Sequence, residues 1–561
     1  MIYSIIFSIF VCNIFIKHST YNNMKFIKIA LCLFTFLLGL GSANAQITER
    51  ERPVEWNNLI LGGRYMDRFL PMPDGELKVN VWGAKDVIPR FIDNGIEDPK
   101  ISFWGGNILK DENGLYHLYV CGWPEDSPKG HMFWPNSTVY HTTSESLHGP
   151  YKIVEEIGKG HNPEAFLLAD GRVVIYVIDG YYISDSMNGP WSYNHFEFDS
   201  RNRRIIEGLS NLTFASREDG SKLMVCRGGG VWISKDGISP YRQISDQRVY
   251  PDVDGRFEDP VVWRDELQYH LIVNDWLGRI AYYQRSKDGI NWITEDGEAY
   301  TPDISRHKDG KQEKWFKYER AKVYQDEYGR VEQMNFAVID TIKWNDLPND
   351  NHSSKNICIP MNKGLRISVL NKGKITDYTQ QIALLVKAEE GFNPQTDLDL
   401  GSLRFGSHRK VNYGYGSRVI SVHPQKRDLI IMFDAHGCGI TEEEFAPKLI
   451  GKKKSGEMIY GYAKLPYVDY TPAILSALRP QFKNGYITLK VENFGLSTSK
   501  SCDVILVVNG QPLGKAKLSA IKPYGEKIVI FKGSFTEESL KGKIEILYQK
   551  GDKTISKNTL R

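Results

Sequence analysis

Short apolar runs of strand length recur along this chain, each starting at a polar residue and ending at an acidic or glycine-containing turn. After each turn a second apolar run follows, which is typical of a β-hairpin. Five such copies can be aligned on the first run. They are WGGNILKDENGLYHLYV from Trp104, HNPEAFLLADGRVVIYV from His161, GLSNLTFASREDGSKLMV from Gly208, FEDPVVWRDELQYHLIV from Phe257 and YERAKVYQDEYGRVEQMNF from Tyr318.

A second pattern follows the first four copies: a strand, a polar turn with glycine or proline, and then an aromatic residue. The aromatic residues are Tyr151, Trp191, Tyr241 and Trp292. Together the two patterns form a four-stranded unit that repeats roughly every 45–60 residues, the period of propeller blades. The sequence therefore predicts an all-β protein with a five-bladed β-propeller over residues 96–385. The alternative is a generic β-sandwich with coincidental turns.

The remaining segments are also strand-rich. We interpret residues 46–95 as an N-terminal extension that packs on the propeller, and residues 386–472 as a β-rich accessory region. Residues 473–561 alternate apolar and polar positions between Gly and Asn-Gly turns, as in YITLKVENFG and SCDVILVVNGQPLG. This pattern predicts a C-terminal Ig-like β-sandwich.

The N-terminus has the pattern of a signal peptide. A short basic start at Met24 precedes an apolar run, and Ala43-Asn44-Ala45 then matches an A-x-A cleavage site. We predict that residues 1–45 are removed, that Met24 is the true start, and that the protein is exported to the periplasm or secreted. A membrane anchor is the alternative, but the apolar run is short, so we expect no stable membrane insertion after cleavage.

The composition and the absence of certain motifs argue against some classes of function. The chain has 71 basic and 68 acidic residues, a balance that argues against a nucleic-acid partner bound by bulk charge. No Cys-x-x-Cys pair, HExxH motif or histidine cluster occurs, so we predict no metal and no cofactor. Aromatic residues make up 12%, which fits either strand-rich folding or stacking on sugar rings.

The starts of the five first strands carry the candidate chemistry, because the first strands of propeller blades converge on one axis. We expect the polar residues at these starts to share one funnel. Paired carboxylates crowded there would differ in pKa, as hydrolysis of a glycosidic bond requires. The candidates are Asn107, His161, Asn162, Glu164, Glu207, Asn211, Glu258, Asp259, Glu319 and Arg320.

These motifs resemble the propeller glycoside hydrolases of family 43 and the invertases, over about residues 100–385. The resemblance implies three acids at blade starts: a first-blade Asp as base or nucleophile, an Asp that tunes a pKa, and a Glu that donates the proton. FEDPVVW resembles the Asp-Pro segment of the family, which implies that Asp259 tunes a pKa or acts as a catalytic acid. YERAKVY resembles the later Glu segment, which implies that Glu319 is the proton donor.

The first blade departs from that pattern, because Trp104-Gly105-Gly106-Asn107 stands where the family has its first Asp. An asparagine side chain is no base. Asp98, Glu164 and Glu207 remain as alternatives, with Glu207 first by its position. His161 is a further acid–base candidate, although a hydrogen-bonded structural histidine is the simpler interpretation.

Sugar contacts are expected from aromatic and basic side chains near the strand ends. Among the tryptophans, we single out Trp104 and Trp276, and consider Trp123, Trp134 and Trp232 as well. Arg227, with Arg203, Arg204 and Arg279, would suit an acidic or sulfated sugar. The leading hypothesis is an exported glycosidase of oligo- or polysaccharides, and the alternatives are a non-catalytic glycan-binding propeller and a polysaccharide lyase.

Overall fold

The computed structural model describes residues 47–79, 84–206, 208–238 and 240–561. The predicted signal peptide with Met24, and the candidate Glu207, lie outside these residues. The described chain is nearly all β, so the all-β prediction is confirmed. Its helical segments are α1 (Pro394–Asp397), α2 (His408–Val411) and short 3₁₀ turns at Val54–Asn58, Tyr65–Arg68, Gly130–Asn136 and Glu537–Leu540. Within this described part, no helix is both long enough and apolar enough to cross a membrane.

Five sheets, antiparallel except at one edge of the third, follow one another from residue 101 to residue 360. They come after a two-stranded pair of β1 (Leu77–Lys78) and β2 (Arg90–Phe91). The first sheet contains β3 (Ile101–Lys110), β4 (Tyr116–Pro124), β5 (Thr138–Ser144) and β6 (Lys152–Lys159). The second contains β7 (Glu164–Leu167), β8 (Val173–Val177), β9 (Gly180–Ser184) and β10 (Ser192–His195).

The third sheet contains β12 (Thr213–Ser216), β13 (Lys222–Val225), β14 (Val231–Ser234) and β15 (Tyr241–Gln243), with β11 (Phe198–Asp199) parallel to β15 at its edge. The fourth contains β16 (Phe257–Arg264), β17 (Tyr269–Asp275), β18 (Ile280–Ser286) and β19 (Ile293–Thr294). The fifth contains β20 (Lys317–Gln325), β21 (Val331–Ile339) and β22 (Ser354–Pro360). Each predicted hairpin copy thus supplies the first two strands of one sheet.

The first strands of the five sheets contact one another in a closed cycle. Strand β3 contacts β7 and β20, and β16 contacts β12 and β20. Strands β7 and β12 meet through the Phe166 and Phe214 rings, whose centroids are 6.4 Å apart. The N-terminal segment pairs with the fifth sheet, since Ile96 bridges to Asn356 of β22. Polar residues at the starts of these strands are therefore brought to one place.

A seven-stranded sheet comes next, in the order β25-β28-β29-β23-β24-β27-β26. Its strands are β23 (Ile367–Val369), β24 (Gln381–Val386), β25 (Leu398–Gly406), β26 (Val419–Gln425), β27 (Asp428–Asp434), β28 (Lys448–Lys453) and β29 (Met458–Lys464). The predicted propeller boundary at 385 includes β23 and β24, which pair with β27 and β29 instead. The boundary between the sheets therefore falls between Pro360 and Ile367, because strand pairing is a long-range property that the local pattern did not carry.

Two four-stranded sheets complete the chain and share one hydrophobic core. One sheet contains β30 (Leu475–Ala477), β31 (Gln481–Lys483), β32 (Tyr486–Asn493) and β35 (Glu526–Phe531). The other contains β33 (Cys502–Val508), β34 (Gln511–Leu518), β36 (Ile544–Lys550) and β37 (Lys553–Leu560). Alternate residues of β32 and β33 are buried, which is the pattern expected of strands that cover a core on one face.

The first strands are interrupted by bulges near their starts. In β3 the register shifts between Trp104 and Asn107, and β16 shifts between Glu258 and Val261. Strand β20 shifts in the same way between Glu319 and Lys322. A bulge re-aims side chains locally, so these segments, rather than regular strand, set the direction of the polar groups.

Gly106→Ala is expected to destabilise the first bulge by about 1–3 kcal/mol more than Gly171→Ala. Both glycines have left-handed backbone, with φ of 95° and 89°. A Cβ at Gly106 would lie 2.3 Å from the carbonyl oxygen of Tyr119, whereas a Cβ at Gly171 would have no atom within 4 Å. Chemical denaturation of both variants measures the difference. Equal losses would show that backbone strain alone, without the clash, determines the cost.

Candidate functional site

Five four-residue opening turns, residues 104–107, 161–164, 210–213, 258–261 and 319–322, lie at the starts of β3, β7, β12, β16 and β20. Their second residues all have left-handed backbone, with φ between 47° and 63°; they are Gly105, Asn162, Asn211, Asp259 and Arg320. Because the five turns share one geometry, residues at the same turn position form a layer. We call these the mouth layer (first position), the axial ring (second position) and the lower layer (fourth position).

The axial ring is joined by side-chain hydrogen bonds. The Asn162 amide donates to the Asn211 side-chain oxygen at 3.1 Å, and the Asn211 amide donates to the Asp259 carboxylate at 3.0 Å. Arg320 donates to the same carboxylate oxygen at 3.3 Å. The ring closes at Gly105, where a Cβ would lie 3.7 Å from Asn162 and 3.8 Å from Arg320. A larger residue at Gly105 would therefore crowd both neighbours.

The lower layer is also tightly bonded. The Asn107 side chain donates to the carbonyl oxygen of Ala165 at 2.9 Å and accepts from its N–H at 2.6 Å. Glu164 is ion-paired with Lys322 and accepts from the Thr213 hydroxyl at 3.3 Å. The alignment of the sequence repeats placed Asn107 at the position where the resembling family has its first-blade Asp. The bulge instead places Trp104 in register with Glu258 and Glu319, with Asn107 three residues further along the strand.

The mouth layer contains two carboxyl groups, Glu258 and Glu319. Glu319 is buried, accepts from Lys317 at 3.3 Å and is ion-paired with Lys343. Burial alone raises the pKa of Glu319, but Lys343 and Lys317 outweigh that effect and lower this pKa to about 2. Glu319 is therefore an ionised carboxylate at any physiological pH.

Glu258 has the opposite character. Its side chain is 18% exposed and lies 2.6 Å from the Arg227 guanidinium. Burial, with the neighbouring charges of Asp259 and Glu319, raises the pKa of Glu258 to about 7, although Arg227 and Lys343 oppose the rise. Glu258 and Glu319 of the mouth layer thus differ in protonation near neutral pH, which is the division of roles that acid–base catalysis needs.

Asp259 lies beneath them in the axial ring. Burial raises its pKa, with Glu319 adding to the rise, while Arg320 and Lys343 lower it. The left-handed backbone at Asp259 turns its carboxylate toward Asn211 and Arg320 rather than into the mouth. It is placed to act on the pKa of Glu258 by its charge.

Two histidines border the mouth. His161 bonds to the Ser137 hydroxyl at 2.9 Å, and its ring centroid is 4.8 Å from that of Trp134. His131 bonds to Ser354 at 2.8 Å. Burial lowers the pKa of both histidines, and nearby cations lower it further. Both are therefore neutral at physiological pH, and His161 has the contacts of a hydrogen-bonded structural histidine.

The other sequence candidates are divided between the mouth and remote positions. The Trp104 ring is buried, with Lys343 Nζ 4.9 Å from its centroid, and Lys317 Nζ is 4.5 Å from the centroid of half-buried Trp276. Asp98 accepts from the N–H of Lys100 in an exposed turn. Trp123 and Trp232 are core residues, whereas Trp134 is half-buried beside His161.

The arginine candidates separate in the same way. Only Arg227 of the four contacts a mouth acid among the described residues. Arg203 is buried against the carbonyl oxygens of Arg201 and Ala477, and Arg204 is exposed. Arg279 pairs with Glu49 and lies over the Phe316 ring.

Several mouth residues were missed from the sequence: Lys317, His131, Tyr300 and Lys343. Lys317 is two positions before Glu319, so a period-two strand pattern could have paired them. Lys343 lies in an irregular loop after β21, and no motif marks it. Tyr300 is buried, and its raised pKa reflects burial and the charges of Asp259 and Glu319.

Comparison with known proteins gives structural likeness at low identity. No protein-family model matches the chain, and no curated protein matches it. A family 117 glycoside hydrolase from Zobellia galactanivorans is similar with 11% identity and a TM-score of 0.35, over 52% of this chain and 89% of that one. An endo-arabinase from Bacteroides thetaiotaomicron is similar with 13% identity and a TM-score of 0.29, over 46% and 94%.

A thermostable family-43 glycoside hydrolase is similar with 14% identity and a TM-score of 0.29, over 52% of this chain and 94% of that one. At such scores the likeness carries no inference about activity. The function is therefore taken from the mouth residues of this chain.

Proposed function

We propose that the protein is a glycoside hydrolase whose mouth layer cleaves glycosidic bonds of an oligo- or polysaccharide. The observation that supports this is the contrast between Glu258 and Glu319. One carboxyl group has a pKa of about 7 and the other a pKa of about 2, and the charge of Glu319 contributes to the raised pKa of Glu258. Glycosidic hydrolysis uses such a pair, one protonated and one ionised.

In this proposal Glu258 is the general acid. It is the more exposed of the two and still carries its proton near pH 7, so it can protonate the leaving glycosidic oxygen as the bond to the sugar carbon breaks. Glu319 is the ionised partner: it either takes a proton from the water molecule whose oxygen bonds to that carbon, or bonds to the carbon itself before water releases the sugar. Lys317 and Lys343 fix its position. The family resemblance implied that Glu319 donates the proton. In this proposal Glu258 has that role instead, because two lysines keep Glu319 ionised.

Asp259 is the tuning group in the same proposal. The negative charge of Asp259 raises the pKa of Glu258. Hydrogen bonds from Arg320 and Asn211 hold Asp259 in the axial ring. Its place matches the role that the resemblance implied for an Asp of the Asp-Pro segment.

The finer architecture belongs to the same proposal. The closed cycle of first strands supports a five-bladed propeller, with the N-terminal segment pairing with the last blade. The two sheets that share a core after residue 473 support a C-terminal Ig-like sandwich. Export follows from the signal-peptide pattern at the N-terminus.

The pH dependence of turnover tests the proposal. Glu258 must be protonated to act, so kcat/KM should fall tenfold per pH unit above about pH 7, where this carboxyl loses its proton. Release of reducing ends from a broad glycan panel, measured from pH 5 to pH 9, gives the profile. Binding without turnover across the panel would favour a glycan-binding module, and an unsaturated product absorbing in the ultraviolet would favour a lyase.

A further inference from the structure

The residues of the mouth layer and the axial ring, with the cations that contact them, carry more positive than negative charge. Four cations meet three carboxyl groups there: Arg227, Lys317, Arg320 and Lys343 against Glu258, Asp259 and Glu319. When Glu258 acts as an acid it is neutral, so four cations then face two carboxylates. The two neighbouring histidines are neutral and do not change this balance. A low-dielectric site with surplus cations favours an anion.

Two of these cations reach the solvent. The Arg227 side chain is 38% exposed and that of Lys343 is 26% exposed, whereas Lys317 and Arg320 are buried. Arg227 and Lys343 both act on the pKa of Glu258, so both lie near it. Trp344 follows Lys343 in the same loop and is 55% exposed, so its aromatic ring is accessible from solvent.

We propose that this mouth selects a sugar with an anionic substituent, a carboxylate or a sulfate, bound by Arg227 and Lys343, with Trp344 against the ring. The inference rests on the proposed function and names its substrate class. Arginine binds planar and tetrahedral oxyanions through paired N–H groups, and Lys343 adds a point charge. A protonated Glu258 no longer provides Arg227 with a negative partner. The bound anion then takes the place of that partner.

A bound anion also has a consequence for catalysis. A negative charge near Glu258 favours the protonated form of that carboxyl. Anionic substrates should therefore move the alkaline limb of kcat to higher pH than the limb of kcat/KM, and neutral substrates should not. The substrate thereby helps to keep its own proton donor protonated.

The test compares matched glycans with and without their charge. Oligogalacturonides and sulfated galactan oligosaccharides are paired with their carboxyl-reduced and desulfated forms, so the two arms separate carboxylate from sulfate. Arg227→Gln should lower the ratio of kcat/KM for one anionic series to kcat/KM for its neutral partner by at least tenfold. Any effect that acts through the pKa of Glu258 is common to both forms and cancels in this ratio. Arg172→Gln is the matched control, because Arg172 is also 38% exposed and paired with a carboxylate, Asp170, in a distant turn. It should change neither series.

Calorimetric titration of the Glu258→Gln variant with the same glycans separates this inference from the proposed function. Tighter binding of an anionic form, weakened by Arg227→Gln, supports the anion site even if the native enzyme turns nothing over; that result would overturn only the hydrolase proposal. Turnover of neutral glycans at least as fast as anionic ones, with equal effects of Arg227→Gln on both, would overturn the anion site and leave the hydrolase standing. Neither binding nor turnover of any form would overturn both.

Discussion

Glu258→Gln should lower kcat by a factor of about 10²–10⁴, because an amide cannot deliver a proton to the leaving oxygen. The substitution keeps the size and hydrogen-bonding shape of the side chain, and Glu258 is partly exposed, so folding should be retained. The alkaline limb near pH 7 should disappear from the residual rate. Aryl glycosides should lose much less activity than natural glycans, since a phenolate leaves without a proton.

Glu266→Gln is the control for this prediction. Glu266 lies beyond the other end of β16, in an exposed turn, and pairs with Arg366 at 3.5 Å. Its substitution should leave kcat and the pH profile unchanged. If Glu258→Gln kept the alkaline limb, or slowed aryl and natural glycosides equally, Glu258 would not be the proton donor.

Lys322→Met should destabilise the protein by about 3–5 kcal/mol, because it leaves the buried Glu164 carboxylate without its ion pair. Both side chains are at most 5% exposed. Lys322 lies on β20 and Glu164 on β7, so the pair links these two strands. Both strands contact β3, and they are not neighbours in the cycle of first strands. Losing this pair would loosen the lower layer beneath the axial ring, and denaturant unfolding followed by tryptophan fluorescence would measure the loss.

The double variant Glu164→Gln, Lys322→Met tests whether the cost comes from the unpaired charge. Replacing both members removes the buried charge, so most of the lost stability should return. Lys311→Met, which breaks an exposed pair with Asp309, should have little effect. A double variant as unstable as Lys322→Met would mean that packing of the lysine stem, rather than its charge, supports the layer.

Much of the architecture follows from local patterns. Strand alternation and turn residues repeat with a fixed phase, so the five hairpins and the all-β class could be predicted from the sequence. The opening turns also begin with recognisable polar residues, including Glu258-Asp259 and Glu319-Arg320. The structure does bring these four residues together, because strands that converge on one axis also bring their starts together.

The sequence failed where distance along the strand had to be counted through a bulge. The additional residue between Trp104 and Asn107 moves Asn107 into the lower layer. Alignment of the sequence repeats did not show this shift. Pairing of β23 and β24 with later strands was hidden in the same way. Register and sheet membership depend on partners far away in the chain.

By itself, then, the sequence determined the repeating hairpins and which residues begin them, since those features arise from local backbone preferences and side-chain periodicity. Only the tertiary structure decided which acid keeps its proton. Burial, Lys343 and Lys317 set the pKa of Glu319, and burial, the neighbouring acids, Arg227 and Lys343 set that of Glu258. Arg227 and Lys343 come from parts of the chain far from both acids in sequence. Electrostatic interactions depend on distances in space, and the fold alone fixes those distances.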